Sequence, residues 1–244
     1  MSDSDGDDPE PLTRRQRKKI LREEPASALS KDERAEKKQS RRFVYKKFAQ
    51  RVAAIDVNVF KRVGKTRAEP LSGSETFFQE AITEWRELNT AADFISLCHE
   101  VNDFSGSLPL IIVHAEEIVA SIRKRLHMSM QLSLSGCLGL LVGLARDLRH
   151  EFMDQMPAVL EGLGDLLESG GDRDAEVMEG VFETMSFLFK FTQRKLAADL
   201  PLALQITKRL RNQRHDFVRN FTAEATAFLF RSAPDDEAVE AGIA

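Results

Sequence analysis

The sequence is poor in cysteine, tyrosine and tryptophan: 244 residues hold two Cys, one Tyr and one Trp. Cys98 and Cys137 each sit among apolar residues, which speaks against a disulfide framework or a zinc cluster and for a reducing compartment. A long apolar run is missing too. The nearest approach, residues 126–145, is diluted by Ser, Gln and Gly and contains His127. The acidic N-terminus has no apolar stretch of the signal-peptide kind, so neither a signal peptide nor a membrane span is expected. Gly-x-Gly-x-x-Gly, P-loop and Gly-x-Ser-x-Gly patterns are absent, which removes the usual phosphate-cradling and nucleophile-elbow signatures.

What is present is ordinary in bulk and uneven in distribution. A hydrophobic content of 42% with 30% charged residues fits a folded soluble chain. Sixteen Phe beside a single Tyr and Trp point to ring packing between helices rather than to a sheet. The net charge of −4 conceals a division: residues 1–70 hold 19 Lys+Arg against 12 Asp+Glu, and the remainder 16 against 27. A basic arm on an acidic body implies that the arm is the part that meets a polyanion.

Residues 1–40 read as a disordered acidic tip followed by a basic arm, 41–73 as a basic helix and linker, 74–232 as helical repeats and 233–244 as a disordered acidic tail. Ser74 can cap a helix that carries Phe77, Phe78, Ile82, Trp85 and Leu88 on one face, with Asn89 at its end. Apolar stripes continue over 92–101, 110–126, 132–152, 159–167, 177–196, 202–210 and 217–230, giving about eight helices. Within 132–152, Gly136, Gly139 and Gly143 lie where they permit close helix packing. Pro109, Pro157 and Pro201, 48 and 44 residues apart, each fall near a helix start, where the missing N–H costs nothing. Leu160 and Leu166 recur as Leu204 and Leu210, and a period in the middle forties fits a HEAT or armadillo helix pair. Asp216, Val218 and Arg219 add the Asp-x-Val-Arg pattern common at the start of a HEAT inner helix, where the Asp caps N–H groups and can pair with an Arg of the adjoining repeat. The fold class is therefore all-α, a HEAT/armadillo-type solenoid of antiparallel helix pairs with a basic N-terminal arm.

Candidate contact residues are the cations of the arm: Arg14, Arg15, Arg17, Lys18, Lys19, Lys37, Lys38, Arg41, Arg42, Lys46, Lys47 and Arg51. They suit RNA phosphates, an acidic partner or a nuclear import signal. A second group, Lys208, Arg209, Arg211, Arg214 and Arg219, interrupts the acidic body at one inter-helix turn. Catalytic signals are thin. His99-Glu100 and His150-Glu151, with His114 and Glu117 as a third pair at helical spacing, resemble the His-Glu dipeptides of deoxyhypusine hydroxylase, a HEAT-repeat di-iron enzyme. That family brings four such dipeptides together and this chain supplies two, so surface polar residues are the plainer reading.

Five segments in order resemble one family. They are Arg42-Phe43-Val44-Tyr45-Lys46-Lys47-Phe48 continuing to Val57, Trp85-Arg86-Glu87-Leu88-Asn89, Ala145-Arg146-Asp147-Leu148, Ser186-Phe187-Leu188-Phe189-Lys190-Phe191, and Val218-Arg219-Asn220-Phe221-Thr222-Ala223-Glu224-Ala225 with Phe228-Leu229. Together they are similar to the N-terminal region of the U3 small nucleolar RNA-associated protein 20 family. The resemblance implies a non-enzymatic HEAT scaffold of the nucleolar small-subunit processome. It would act in precursor rRNA processing and 18S rRNA biogenesis, with precursor rRNA, the U3 snoRNP and processome proteins as partners. It implies no catalytic residue, metal, cofactor, small-molecule substrate or membrane. Two other functions compete with it: a general HEAT-repeat adaptor with a nuclear import signal, and a metal-dependent hydroxylase built on the His-Glu pairs. The chain departs from the family in stopping soon after Arg231 with an acidic, Ala-rich tail. That tail and an apolar last helix together carry the expectation of an uncapped, aggregation-prone beginning of a longer solenoid.

Overall fold

The computed structural model describes residues 43–55, 70, 72–126, 131–168 and 175–243. These belong to one compact unit, Phe43–Ala244. The expected acidic tip and both basic clusters between Arg14 and Arg42 lie outside the described residues.

Among the described residues there are eleven α-helices and no strand. They are α1 (Phe48–Ala54), α2 (Phe77–Leu88), α3 (Ala92–Ser105), α4 (Leu108–Val113), α5 (Ala115–Arg125), α6 (Gln131–Leu148), α7 (Met156–Glu168), α8 (Ala175–Ala198), α9 (Leu200–Arg211), α10 (Asp216–Phe230) and α11 (Asp236–Ile243). A 3-10 turn, Arg149–Asp154, joins α6 to α7. Helices α2, α6, α8 and α10 pack in sequence as one layer, while α3, α5, α7, α9 and α11 pack in sequence as a second. Consecutive helices pair across the layers, as α2 with α3, α5 with α6, α7 with α8 and α9 with α10. The result is the expected all-α solenoid of helix pairs. Its core is rich in phenylalanine: Phe48, Phe78, Phe94, Phe152, Phe182, Phe189 and Phe221 are at most 1% exposed.

The glycine stripe of α6 does what its spacing promises. A Cβ on Gly143 would stand 2.8 Å from the Phe77 carbonyl oxygen, and one on Gly139 would collide with the Trp85 indole. Only bare backbone lets α6 approach α2 this closely. The same crossing is stitched by Asp147, buried near the end of α6, whose carboxylate accepts the N–H groups of Phe77 and Phe78 at 3.2 and 2.8 Å. It neutralises the positive end of a neighbouring helix rather than its own. Thr76, and not Ser74, is the N-cap of α2: its hydroxyl accepts from Gln79 N–H and donates to the Ser105 carbonyl, both at 3.1 Å. Asn89 closes α2 as expected, and its side-chain oxygen accepts from Ala91 N–H at 3.0 Å.

Pro109, Pro157 and Pro201 all fall in the first turn of their helices, α4, α7 and α9. Three expectations need correction. The stripe over 110–126 is two helices, broken at His114, which stacks on Phe104 with ring centroids 4.3 Å apart. The stripe over 132–152 ends its α-helix at Leu148, because Arg149 takes a left-handed backbone with φ 55°. The tail after Pro234 is helical rather than disordered. Asp235 accepts the Ala238 N–H at 2.9 Å to start α11, and Gly242 lets that helix close on Leu200 and Phe230.

Candidate functional site

Segment 43–55 changes period along its length. Residues 43–47 are not helical, and Phe43 and Tyr45 both reach the Phe182 ring; from Phe48 the chain is helical, and Phe48, Arg51 and Val52 recur at three and four. One continuous sticky face results, and it lies along the groove between α8 and α10. Phe43 stacks on Phe182 at 5.6 Å and meets Phe217 edge-on at 5.5 Å. Tyr45 meets Phe182 at 5.9 Å. Phe48, 1% exposed, is enclosed by Phe189, Phe221 and Phe228 with centroids 5.3 to 6.2 Å away.

Polar clamps from the body hold both ends of α1. Phe48 N–H donates to Glu224 at 2.6 Å, and the Lys190 ammonium donates to the carbonyls of Val52 and Ile55 at 2.7 Å each. A seven-residue helix is far too short to persist alone. Here its unsatisfied N–H and C=O groups meet a carboxylate and an ammonium of the matching sign. Arg51, with a side chain only 2% exposed, donates to Glu179 at 3.0 Å and to the Lys46 carbonyl at 3.1 Å, and its guanidinium lies over the Phe182 ring. Lys46 reaches the other oxygen of Glu179 at 2.7 Å. Burial works against ionisation of Glu179, but hydrogen bonds from Lys46 and Arg51 outweigh it and hold its carboxyl below the usual range. Burial, reinforced by Glu224, pushes the Tyr45 phenol up to about 12, so it stays neutral at the groove wall.

The expected contact residues therefore divide. Arg14 to Arg42 fall outside the described residues. Arg51 is spent inside the fold, Lys46 is exposed but paired with Glu179, and Lys47 is exposed. In the second group Arg211 donates to the Leu204 carbonyl at 2.9 Å and Arg219 to the carbonyls of Gln213 and Arg214 at 2.7 Å each. Lys208 and Arg214 are exposed, and Arg209 lies in the same helix turn. Asp216 pairs with Arg219 of its own helix, three residues on, and not with an adjoining repeat. Among the described residues no side chain caps the start of α10, and carboxylates cap helix N–H groups elsewhere, Asp147 on α2 and Glu224 on α1.

The His-Glu pairs do not converge. Glu100 is taken by Ser121 and Arg125, at 2.6 Å each; His114 meets Glu117 at 3.2 Å, and His150 lies 3.9 Å from Glu151. Among the described residues no group of three or more His, Cys, Asp and Glu side chains is placed to hold a metal ion. Burial pushes the Cys98 thiol to about 11 and the Cys137 thiol to about 12, which keeps both protonated and poorly nucleophilic. Among the described residues no helix is long and apolar enough to cross a membrane.

No protein-family model matches the chain. Two curated relatives do. U3 small nucleolar RNA-associated protein 20 of Schizosaccharomyces pombe is 28% identical over 203 residues, and its Saccharomyces cerevisiae counterpart 25% identical over 198. The matches take in 82% and 81% of this chain and 8% of each relative. Over this stretch the two matches support membership in the U3 small nucleolar RNA-associated protein 20 family. It spans less than a tenth of those relatives' length.

The segments that carry the family resemblance also have structural work. Trp85 lies over Gly139, and Asp147 caps α2. Phe189 and Lys190 face segment 43–55, the strap, from α8, as Phe221, Glu224 and Phe228 do from α10. Glu179 carries no signal in the sequence, and Lys190 and Glu224 stand there only within family-like segments, with no role assigned to them. Lys190, a lone cation within an aromatic run, was the one local signal of a buried polar partner.

Proposed function

We propose that the chain is a helical scaffold of the small-subunit processome, in the nucleolus, supporting precursor rRNA processing through protein and RNA contacts. The two relatives are named for association with U3 small nucleolar RNA, and their similarity takes in 82% and 81% of this chain. That similarity is the observation that carries the reading. The fold supports it: two stacked helical layers present long surfaces, which suits holding partners in place. The non-enzymatic reading rests on the same similarity.

In this reading the basic residues upstream of Phe43 meet RNA phosphates or acidic assembly factors and set position without reading sequence. Affinity then falls steeply with salt. The test is expression of the tagged full chain in cells, with its location and co-purified RNA measured. Nucleolar enrichment together with U3 RNA and precursor rRNA is expected. A diffuse protein that co-purifies neither would sink the proposal, and retention of rRNA processing when the basic clusters are exchanged for an unrelated import signal would favour a protein-only adaptor.

A further inference from the structure

We infer that the groove between α7 and α9 is a docking surface for a segment of a partner protein that seats one arginine at its polar end and an aliphatic side chain at the other; the groove's own chemistry carries this, apart from the RNA-contact reading above. The two helices are neighbours in the second layer and run in the same direction, since Gly164 of α7 lies against Leu210 of α9 and Glu168 meets Gln213 just beyond it. Between them is a hollow of about 780 Å³. Toward the helix starts it is apolar, lined by Pro157, Ala158, Leu202 and Ile206, and its far end is formed by Glu168 and Gln213.

The far end holds an unmet hydrogen-bonding need. Gln213 is 4% exposed, and its side-chain oxygen has no hydrogen-bond partner. Its amide nitrogen faces Glu168 at 3.5 Å, and reversing the amide would set the oxygen against that carboxylate. A buried acceptor left unpaired costs stability that a donor from outside returns. Glu168 is exposed, and among the described residues no cation pairs with it. An orphaned amide oxygen one amide group away from an open carboxylate calls for a positive charge with more than one N–H. A guanidinium has both, and its planar fork can give one N–H to each acceptor. Seating it takes a turn of the Gln213 amide toward the hollow.

The charges along the walls narrow the occupant further. Lys208 is exposed on the α9 wall of the same hollow, so a run of cations is repelled while a single arginine at the Glu168 end is not. Nucleic acid fits poorly, because Glu161, already paired with Arg123 at 2.8 Å, and Glu168 both line the hollow and repel phosphates. Leu202 and Ile206 are only half-buried and gain from an aliphatic side chain laid over them. Ile206 and Gln213 are seven positions apart, about 10 Å along a helix, which an extended segment spans with about three residues.

The experiment titrates the isotope-labelled full chain with the peptide Gly-Ser-Leu-Ser-Gly-Arg-Ser-Gly and follows the Ile206 methyl and Gln213 side-chain amide signals by NMR. Both should shift together and saturate. Exchanging the arginine of the peptide for glutamate, or using the Glu168→Gln variant, should weaken binding about tenfold. Lys208→Ala should keep the affinity or raise it. Gln213→Leu should lose affinity as Glu168→Gln does, and the exposed Glu168 is the variant whose effect cannot be laid to unfolding. No saturable shift at the groove signals, equal binding of the two peptides, or an unchanged affinity in Glu168→Gln overturns the inference. A glutamate peptide that binds more tightly and depends on Lys208 assigns the groove to an acidic segment instead, and groove signals that answer to single-stranded RNA and not to the peptide assign it to nucleic acid.

Discussion

Asp147, Gly143 and Arg51 each occupy a place where one atom decides whether two helices fit. Adding the Cβ of Gly143→Ala at 2.8 Å from the Phe77 backbone oxygen forces α2 and α6 apart, because a carbonyl in the first turn of α2 is held by the helix's own hydrogen-bond ladder and cannot rotate away. We expect a loss of about 1–3 kcal/mol in denaturant melts. Gly180→Ala is the control: its added Cβ would meet only the Leu138 Cδ1, at 3.3 Å, and the gain in helix propensity should bring the change within about 1 kcal/mol of zero. Asp147→Asn keeps the shape but turns an amide N–H toward one of two buried donors, a cost of about 1–3 kcal/mol. An unchanged midpoint in either damaging variant would show that the α2–α6 contact is looser than described. The two thiols give a further residue-scale outcome. With the burial-raised values, Cys98 and Cys137 should resist a thiol reagent at pH 8 until the chain is unfolded, and fast labelling of the native protein would contradict the packing.

At the scale of elements, the strap is the least self-sufficient part of the molecule and the most instructive. Segment 43–55 owes its helix to Glu224 and Lys190, and its register to Phe48 and the Arg51–Glu179 pair. Glu179→Gln leaves a guanidinium that is 2% exposed without its counter-charge, a change worth about 3 kcal/mol when such a pair is broken from one side. Phe48→Ala removes a ring at the centre of a four-ring cluster and should cost about 3–5 kcal/mol. In both variants the strap should come away before the helical layers unfold. Trypsin reports this directly, because cleavage after Arg51 is blocked in the docked strap and should open selectively. Simultaneous loss of all protection would mean that strap and body unfold as one unit.

Across the whole molecule the strap joins residues 176 positions apart, Phe48 and Glu224, so the α8–α10 groove can be filled only once α10 has formed. Acid should release it. The folded Glu179 carboxyl titrates below its ordinary 4.5, so its contribution is complete above that value and is lost as pH falls through the lower folded one. Glu100, held down chiefly by the Ser121 hydroxyl, adds a term of the same sign. Stability should therefore be flat near neutrality and decline below about pH 4.5. Glu179→Gln should flatten that decline, and an acid limb identical to wild type would remove Glu179 as its source.

The local pattern was enough to determine the helices, the prolines in first turns and the glycine stripe of α6, because 3.6-residue periodicity and backbone sterics act over a few positions. It also marked the two cationic groups, since charge is written residue by residue. Which cations remain available was a tertiary decision. Arg51 looked like its neighbours in the arm until Glu179, 128 positions later, claimed it, and Asp216 paired within its own helix while Asp147 capped another. The helical tail went the same way, because the surface that orders it, Leu200 and Phe230, comes from other elements. Burial and pairing depend on what the chain brings back from a distance, and no window of sequence contains that information.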